Sequence, residues 1–221
     1  MNRAVEIAVL DMAGTTVRDE GSVEAAFVSA AEAVGATVDG PMLEFVRATM
    51  GQSKIDVFTQ LFGDPERAAA ANKAFEQAYA GRVAAGGCTP VPGAELAISA
   101  LRDAGVRVAL TTGFSGETQR LLVEALGWRS LIDLCLAPAD AGRGRPYPDL
   151  PLQALLRLGG SRVQALLVAG DTTSDMRCGG NAGAGLVVGV LTGTQDEPAL
   201  RAAGANHVLP SIADLPELLG I

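Results

Sequence analysis

Apolar positions along the chain follow two different periods. The run from Val5 to Leu10 is short, rich in β-branched residues and closed by Asp11 and Gly14, which reads as a buried parallel strand. From Ser22 to Gly35 the apolar residues fall at Val23, Ala26, Phe27, Ala30, Ala31 and Val34, a three–four spacing that predicts a helix with Gly35 as its stop. Pro41 suits a first helical turn and opens a short helix running toward Gly51. Ser53 and Asp56 form a capping-box-like pair ahead of Phe58, Leu61 and Phe62. Asp64-Pro65 starts a long Ala-rich helix that ends near Gly86-Gly87. Residues 18–86 therefore read as four helices without a strand, inserted just after the first strand.

From Cys88 onward, strands alternate with helices. The pattern predicts a helix over Gly93–Ala104, a strand over Val106–Leu110 ending in Thr111-Thr112-Gly113, a helix reaching Gly127 and a strand over Leu131–Leu136. A helix over Asp149–Leu158 leads to a strand over Ala165–Ala169, which ends in Gly170-Asp171. Strands at Leu186–Leu191 and His207–Leu209, with a short helix between them and a last helix after, complete the pattern. Such alternation implies a parallel sheet with right-handed crossovers. The expected class is α/β, with a core formed by residues 1–17 and 87–221 and an all-helical cap at 18–86. Gly86-Gly87 and the Thr15–Asp19 region are the expected hinges between the two.

Composition narrows the partners. The chain has 221 residues, 48% of them hydrophobic, enough for a full core. A formal net charge of -8 and the lack of a basic cluster argue against nucleic acid or an anionic membrane surface. The three cysteines, Cys88, Cys135 and Cys178, are widely spaced and suggest neither a disulfide framework nor a zinc site, so a cytoplasmic location is expected. The first strand begins too early to leave room for a signal peptide. No apolar run approaches the ~18 residues of a membrane span.

Polar residues gather at the strand ends: Asp11 after the first, Thr112 after the second, Asp171 and Asp175 after the fourth. In open α/β sheets, ligands bind at the carboxyl ends of strands. A carboxylate such as Asp11 can serve there as a nucleophile or a metal ligand, and Gly14 lets the chain come close to a ligand. Taken singly, Asp11, Thr112 and Asp175 also read as turn or capping residues, and Arg145 as half of a surface ion pair. In this order, and with Gly144-Arg145-Pro146-Tyr147-Pro148 before the fourth strand, they resemble the haloacid dehalogenase superfamily along essentially the whole chain. The resemblance implies a Rossmann-like haloacid dehalogenase core with Asp11 as nucleophile. It implies Mg²⁺ held by Asp11, the backbone carbonyl of Ala13 and Asp171, with Asp175 as a further ligand or an outer partner. Thr112, the Gly113 amide and Arg145 would then face the phosphoryl group.

Two features go further. Most phosphatases of that superfamily carry a second Asp two residues after the nucleophile, as acid for the leaving oxygen; here that position is Ala13. An alkoxide leaving group without a positioned acid forfeits a factor of ~10²–10⁴. The second feature is Met50-Gly51-Gln52-Ser53-Lys54-Ile55-Asp56 in the helical insertion. Lys54 falls in the first turn of a helix, where the dipole, a nearby cation and desolvation all disfavour the ammonium and favour a free amine. The plain alternative is a solvated lysine.

Together with Thr-Thr-Gly, Gly-Arg-Pro-Tyr-Pro and Gly-Asp-Thr-x-Ser-Asp-Met, these motifs resemble phosphonoacetaldehyde hydrolase (phosphonatase) and its phosphonatase-like relatives. In that family the lysine forms a Schiff base with the aldehyde, and an enamine leaves from phosphorus. The resemblance therefore implies Lys54 as the imine-forming residue and Met50, Gly51 and Gly14 as substrate contacts. It also suggests a homodimer through the helical insertion. The family's His after the lysine, Tyr after Thr-Thr-Gly and Cys after the nucleophile are Val57, Phe114 and Gly21 here. The expected substrate is a small phosphonate such as phosphonoacetaldehyde. A phosphate-monoester phosphatase of phosphoglycolate type is the rival, and a binding protein without catalysis is a third possibility.

Overall fold

A computed structural model describes residues 5–221. Its centre is a six-stranded sheet of order β3-β2-β1-β4-β5-β6. The strands are β1 (Ile7–Asp11), β2 (Arg107–Thr111), β3 (Leu134–Leu136), β4 (Leu166–Gly170), β5 (Leu186–Val190) and β6 (His207–Leu209). Every paired strand runs parallel. All residues of β1 and β4 are buried, which explains their unbroken apolar runs. The register sets Asp11 beside Thr111 and Leu10 beside Ala169, so the polar ends of β1, β2 and β4 finish at one level.

Helices α1 (Ser22–Ala33), α2 (Gly40–Ala48), α3 (Lys54–Phe62) and α4 (Pro65–Ala84) follow β1 without an intervening strand. Asp39 caps α2 by accepting the Met42 N–H, and Asp64 caps α4 by accepting the Glu66 N–H. Phe58 is the centre of their packing. It stacks on Phe27 at 4.6 Å and meets the edge of Phe75 at 6.2 Å. The aromatic cluster then continues into the strand-bearing part of the chain, where Phe114 lies 4.5 Å from Tyr79. The two crossings between helical unit and sheet run side by side: Arg18 donates its N–H to the Thr89 carbonyl, and Val91 to that of Thr16.

The remaining helices are α5 (Ala94–Asp103), α6 (Gly116–Ala125), α7 (Pro138–Ala141), α8 (Asp149–Leu158), α9 (Thr173–Ala182), α10 (Glu197–Ala202) and α11 (Leu215–Leu218). The fold class is the expected α/β one, but three local readings change. The pattern missed α9, whose two glycines and Asn181 are poor helix formers. A reciprocal Thr172–Asp175 cap starts that helix, and Gly179 lets it sit against Val168 and Val187, where a Cβ would lie only 3.0 Å from either. The strand expected from Leu131 begins at Leu134, because Trp128–Ser130 form a 3₁₀ turn and the Asp133 carboxylate accepts the Val108 N–H. Ser53 does not cap α3 with its side chain. It is buried against Gly144, and the Lys54 N–H is donated instead to the carbonyl of Gly113.

Phe58→Ala should cost about 3–5 kcal/mol, because a fully buried ring leaves a cavity at the meeting point of α1, α3 and α4. Leu156→Ala, at a position 75% exposed, should change stability by less than about 0.5 kcal/mol. Urea midpoints of the two variants check the contrast.

Candidate active site

The site is built where β1, β2 and β4 end. Asp11 closes β1 and is buried. Arg145, also buried, reaches it from the segment before α8: its Nη1 lies 2.7 Å from Asp11 Oδ1 and its Nε 2.9 Å from Asp175 Oδ1. The same guanidinium donates to Thr111 Oγ1 at 2.7 Å and to the Gly51 carbonyl at 3.1 Å. A rigid fork of donors suits this task; a lysine would supply one point charge. Asp175 turns its other oxygen to the N–H and hydroxyl of Thr172, so both its oxygens are engaged. Asp171 accepts a hydrogen bond from Thr15 Oγ1 at 3.1 Å. Gly14, with φ of 91°, passes so close that a Cβ would sit 2.6 Å from Asp171 Oδ2.

Asp11, Asp171 and Asp175 offer carboxylate oxygens within 4.8 Å of one another, all buried. Burial pushes the Asp11 carboxyl up to about 7; Arg145 pulls it back down and Asp175 pushes it further up. Asp171 is raised well above the usual range, first by burial and then by Asp11 and Asp175. Three crowded carboxyls against one guanidinium leave the cluster short of positive charge. Oxygen donors without sulfur or imidazole fit a small hard cation such as Mg²⁺. Asp11 and Asp171, with the Ala13 carbonyl, are the groups that could hold it.

Lys54 faces the same space from the start of α3. It is buried, its Nζ 5.7 Å from the Phe114 ring and 5.9 Å from the Phe75 ring, with a 3.4 Å contact to the Gln52 carbonyl. Burial, followed by the charge of Arg145, lowers its pKa to about 8 against the pull of Asp11, Asp19 and Glu76. Burial, which leads this shift, is decided only by the tertiary fold.

Lys54, Asp11, Arg145, Asp171 and Thr112 line one small cavity, together with Ala13, Met50, Gly51 and Gly113. Thr112 accepts the Phe114 N–H at 3.1 Å, which leaves its hydroxyl proton for a ligand. Gly14 and Asp175 stand behind the wall, supporting Asp171 and Arg145. The four-residue run Gly51–Lys54 docks directly on the strand ends, and a Cβ on Gly51 would lie 2.5 Å from Thr172 Oγ1. Sequence reasoning missed Asp19, Thr194 and the ring of Phe75, which belong to this site. Thr194 carried a faint signal, a polar Thr-Gly-Thr run just past a strand end. Asp19 and Phe75 carried none, since their distance from Lys54 depends on how the helices close.

A parallel sheet whose acidic strand ends meet beneath an inserted helical unit makes this an α/β protein with its site at the carboxyl ends of the strands. A sequence model of the haloacid dehalogenase-like hydrolases matches residues 5–183, and the chain belongs to that family. It is 35% identical over 109 residues to a phosphonoacetaldehyde hydrolase of Bacillus cereus, a match spanning 49% of this chain and 41% of the relative. A phosphonoacetaldehyde hydrolase of Bacteroides fragilis is 29% identical over 98% of this chain and 96% of its own length. A phosphonoacetaldehyde hydrolase-like protein from Oleispira antarctica has the same fold, with a TM-score of 0.85, 22% identity and coverage of 98% and 92% of the two chains. No helix among the described residues is long and apolar enough to cross a membrane.

The acidic cluster generates a pH prediction. In the metal-free protein Asp11 keeps its proton up to about 7 when folded but only to about 3.9 when unfolded. The folded state thus binds more protons between these values, and its stability should fall as pH rises through that window. Mg²⁺ needs the deprotonated carboxylates. It should therefore raise the melting temperature clearly at about pH 8 and much less at about pH 5.5. Equal shifts at both would contradict the assignment.

Proposed function

We propose that this chain is a Mg²⁺-dependent hydrolase that breaks the carbon–phosphorus bond of a 2-oxoethylphosphonate, phosphonoacetaldehyde or a close relative. The observation that carries this reading is a buried amine, Lys54, sharing one cavity with Asp11 while Ala13 stands where an acid for a leaving oxygen would be. The two relatives named phosphonoacetaldehyde hydrolase support it.

In this mechanism the neutral Lys54 amine attacks the aldehyde, and loss of water leaves an iminium ion. An oxygen of Asp11 attacks phosphorus. The C–P electron pair moves toward the iminium nitrogen, giving an enamine and an aspartyl phosphate on Asp11. No proton is needed at a leaving oxygen, which gives Ala13 its physical reason. Arg145 holds Asp11 in place, and the Thr112 hydroxyl and Gly113 amide hydrogen-bond the phosphoryl oxygens. Bound at Asp11, Ala13 and Asp171, Mg²⁺ would offset repulsion between the nucleophile and the anionic phosphonate. Water then cleaves the aspartyl phosphate, while the enamine takes a proton at carbon and its imine is hydrolysed from Lys54. Residues 18–86 act as a cap that excludes bulk water during these steps. Phe75 and Phe114 give Lys54 an apolar surround that favours the free amine.

Borohydride added with phosphonoacetaldehyde should reduce an adduct onto Lys54, visible in a peptide map. The trapping rate should climb with pH from the acid side as the amine, brought to about 8 by burial, loses its proton. Lys54→Arg should lose the adduct and lower turnover by roughly 10³-fold or more. An unmodified Lys54, with turnover of simple phosphate esters kept in Lys54→Ala, would overturn the reading in favour of an ester phosphatase.

A further inference from the structure

Three carboxyls act on Lys54 through space: Asp11, Asp19 and Glu76. Asp11 is held by Arg145 and is committed to phosphorus. Glu76, on α4, is engaged at the start of α6, where it accepts from the Ser115 N–H at 3.1 Å, from Ser115 Oγ at 2.7 Å and from Thr118 Oγ1. Asp19 is different. Its Oδ1 accepts the Val23 N–H at 3.0 Å, and among the described residues no side chain hydrogen-bonds it. It lines the catalytic cavity beside Lys54. It also lines an outer hollow bordered by Arg18, Glu20, Val91, Pro92 and Thr192. Asp19 is the residue common to both spaces, and it sits on the crossing strand next to the paired Val17 and Pro90.

We propose that Asp19 is the proton carrier of the imine chemistry, donating to the carbinolamine on Lys54 and regaining its proton from the outer hollow. This rests on the carbon–phosphorus reading above. The step balances without a further reagent. The carbinolamine C–O bond breaks as the Asp19 carboxyl proton passes to the departing oxygen. The Lys54 nitrogen lone pair forms the C=N bond. The products are an iminium ion, one water and the Asp19 carboxylate. Burial pushes the Asp19 carboxyl above the usual range, against the N–H groups of Val23 and Ser22 and the charges of Lys54 and Arg82. That shift favours the protonated form, which a proton donor needs.

The test follows borohydride trapping on Lys54 with phosphonoacetaldehyde in the wild type, Asp19→Asn and Asp19→Ser. Both substitutions keep a side-chain oxygen able to cap α1. Trapping should slow by roughly 10²-fold in both. The wild-type rate should rise and then fall with pH, and Asp19→Asn should lose the falling limb, with Arg18, Glu20, Lys54 and Arg82 unchanged around it. Formate, small enough for the outer hollow, should restore part of the rate in Asp19→Ser. A wild type that traps normally with variants at the same rate and profile overturns the role of Asp19 and leaves the carbon–phosphorus reading standing. Slowed trapping with an unchanged profile and no rescue by formate marks a structural residue and overturns it equally. A wild-type profile that climbs without falling excludes the proton donor even if the variants do not fold. A wild type with no adduct on Lys54 removes both readings at once.

Discussion

The site depends on one buried guanidinium. Arg145 joins Asp11 at the end of β1, Asp175 at the start of α9, Thr111 at the end of β2 and the Gly51 carbonyl of the helical unit. Burying separate carboxylates at these strand ends would be costly without it, and breaking a buried pair by removing one partner costs about 3–5 kcal/mol. The planar fork sets two acids and two neutral acceptors at fixed distances, so it orients groups as well as balancing charge. Gly51 is part of this arrangement. One arm of the arginine ties the loop before α3 to the strand ends, and that loop carries Lys54 into the cavity.

A second constraint acts in the opposite direction. The catalytic chemistry proposed for Lys54 needs an amine without its proton, and the local means to that end is removal of water. Burial beside the rings of Phe75 and Phe114 achieves this, aided by the positive charge of Arg145. The polar half of the cavity, with Asp11, Asp171 and Arg145, favours a cation and, with Arg145 and that cation, an anionic group. The apolar half favours a neutral carbonyl. This division underlies the proposal of a substrate with phosphorus at one end and a carbonyl at the other, in which Ala13 in place of an acid has a consistent place.

Several parts of the fold were legible because they rest on local signals. Strands β1 and β4 are continuous apolar runs, and β6 and α8 have the bounds their patterns predict. The four inserted helices announce themselves through three–four spacing, Pro41, and Asp64-Pro65. Helix α9 was not legible, because its Gly-rich sequence opposes helix formation. What stabilises it is a reciprocal cap and a close approach of Gly179 to β4 and β5, a contact between distant parts of the chain. Ser53 looked like a cap for the same reason in reverse: the local pattern was right, but the Lys54 N–H found the Gly113 carbonyl from another element.

The sequence by itself determined the alternating architecture and the helical insertion, along with the residues Asp11, Lys54, Thr112, Arg145, Asp171 and Asp175 as the chemical candidates. The architecture follows from periodicity, and the residues from their charge at strand ends read together with the resemblance to the haloacid dehalogenase superfamily, signals that travel with the local sequence. Only the tertiary structure decided that Asp175 supports Arg145 with both oxygens engaged, that Lys54 is buried, and that Asp19 lies between the cavity and an outer hollow. Each of these depends on distances between segments far apart in the chain, and on the water that their closure removes.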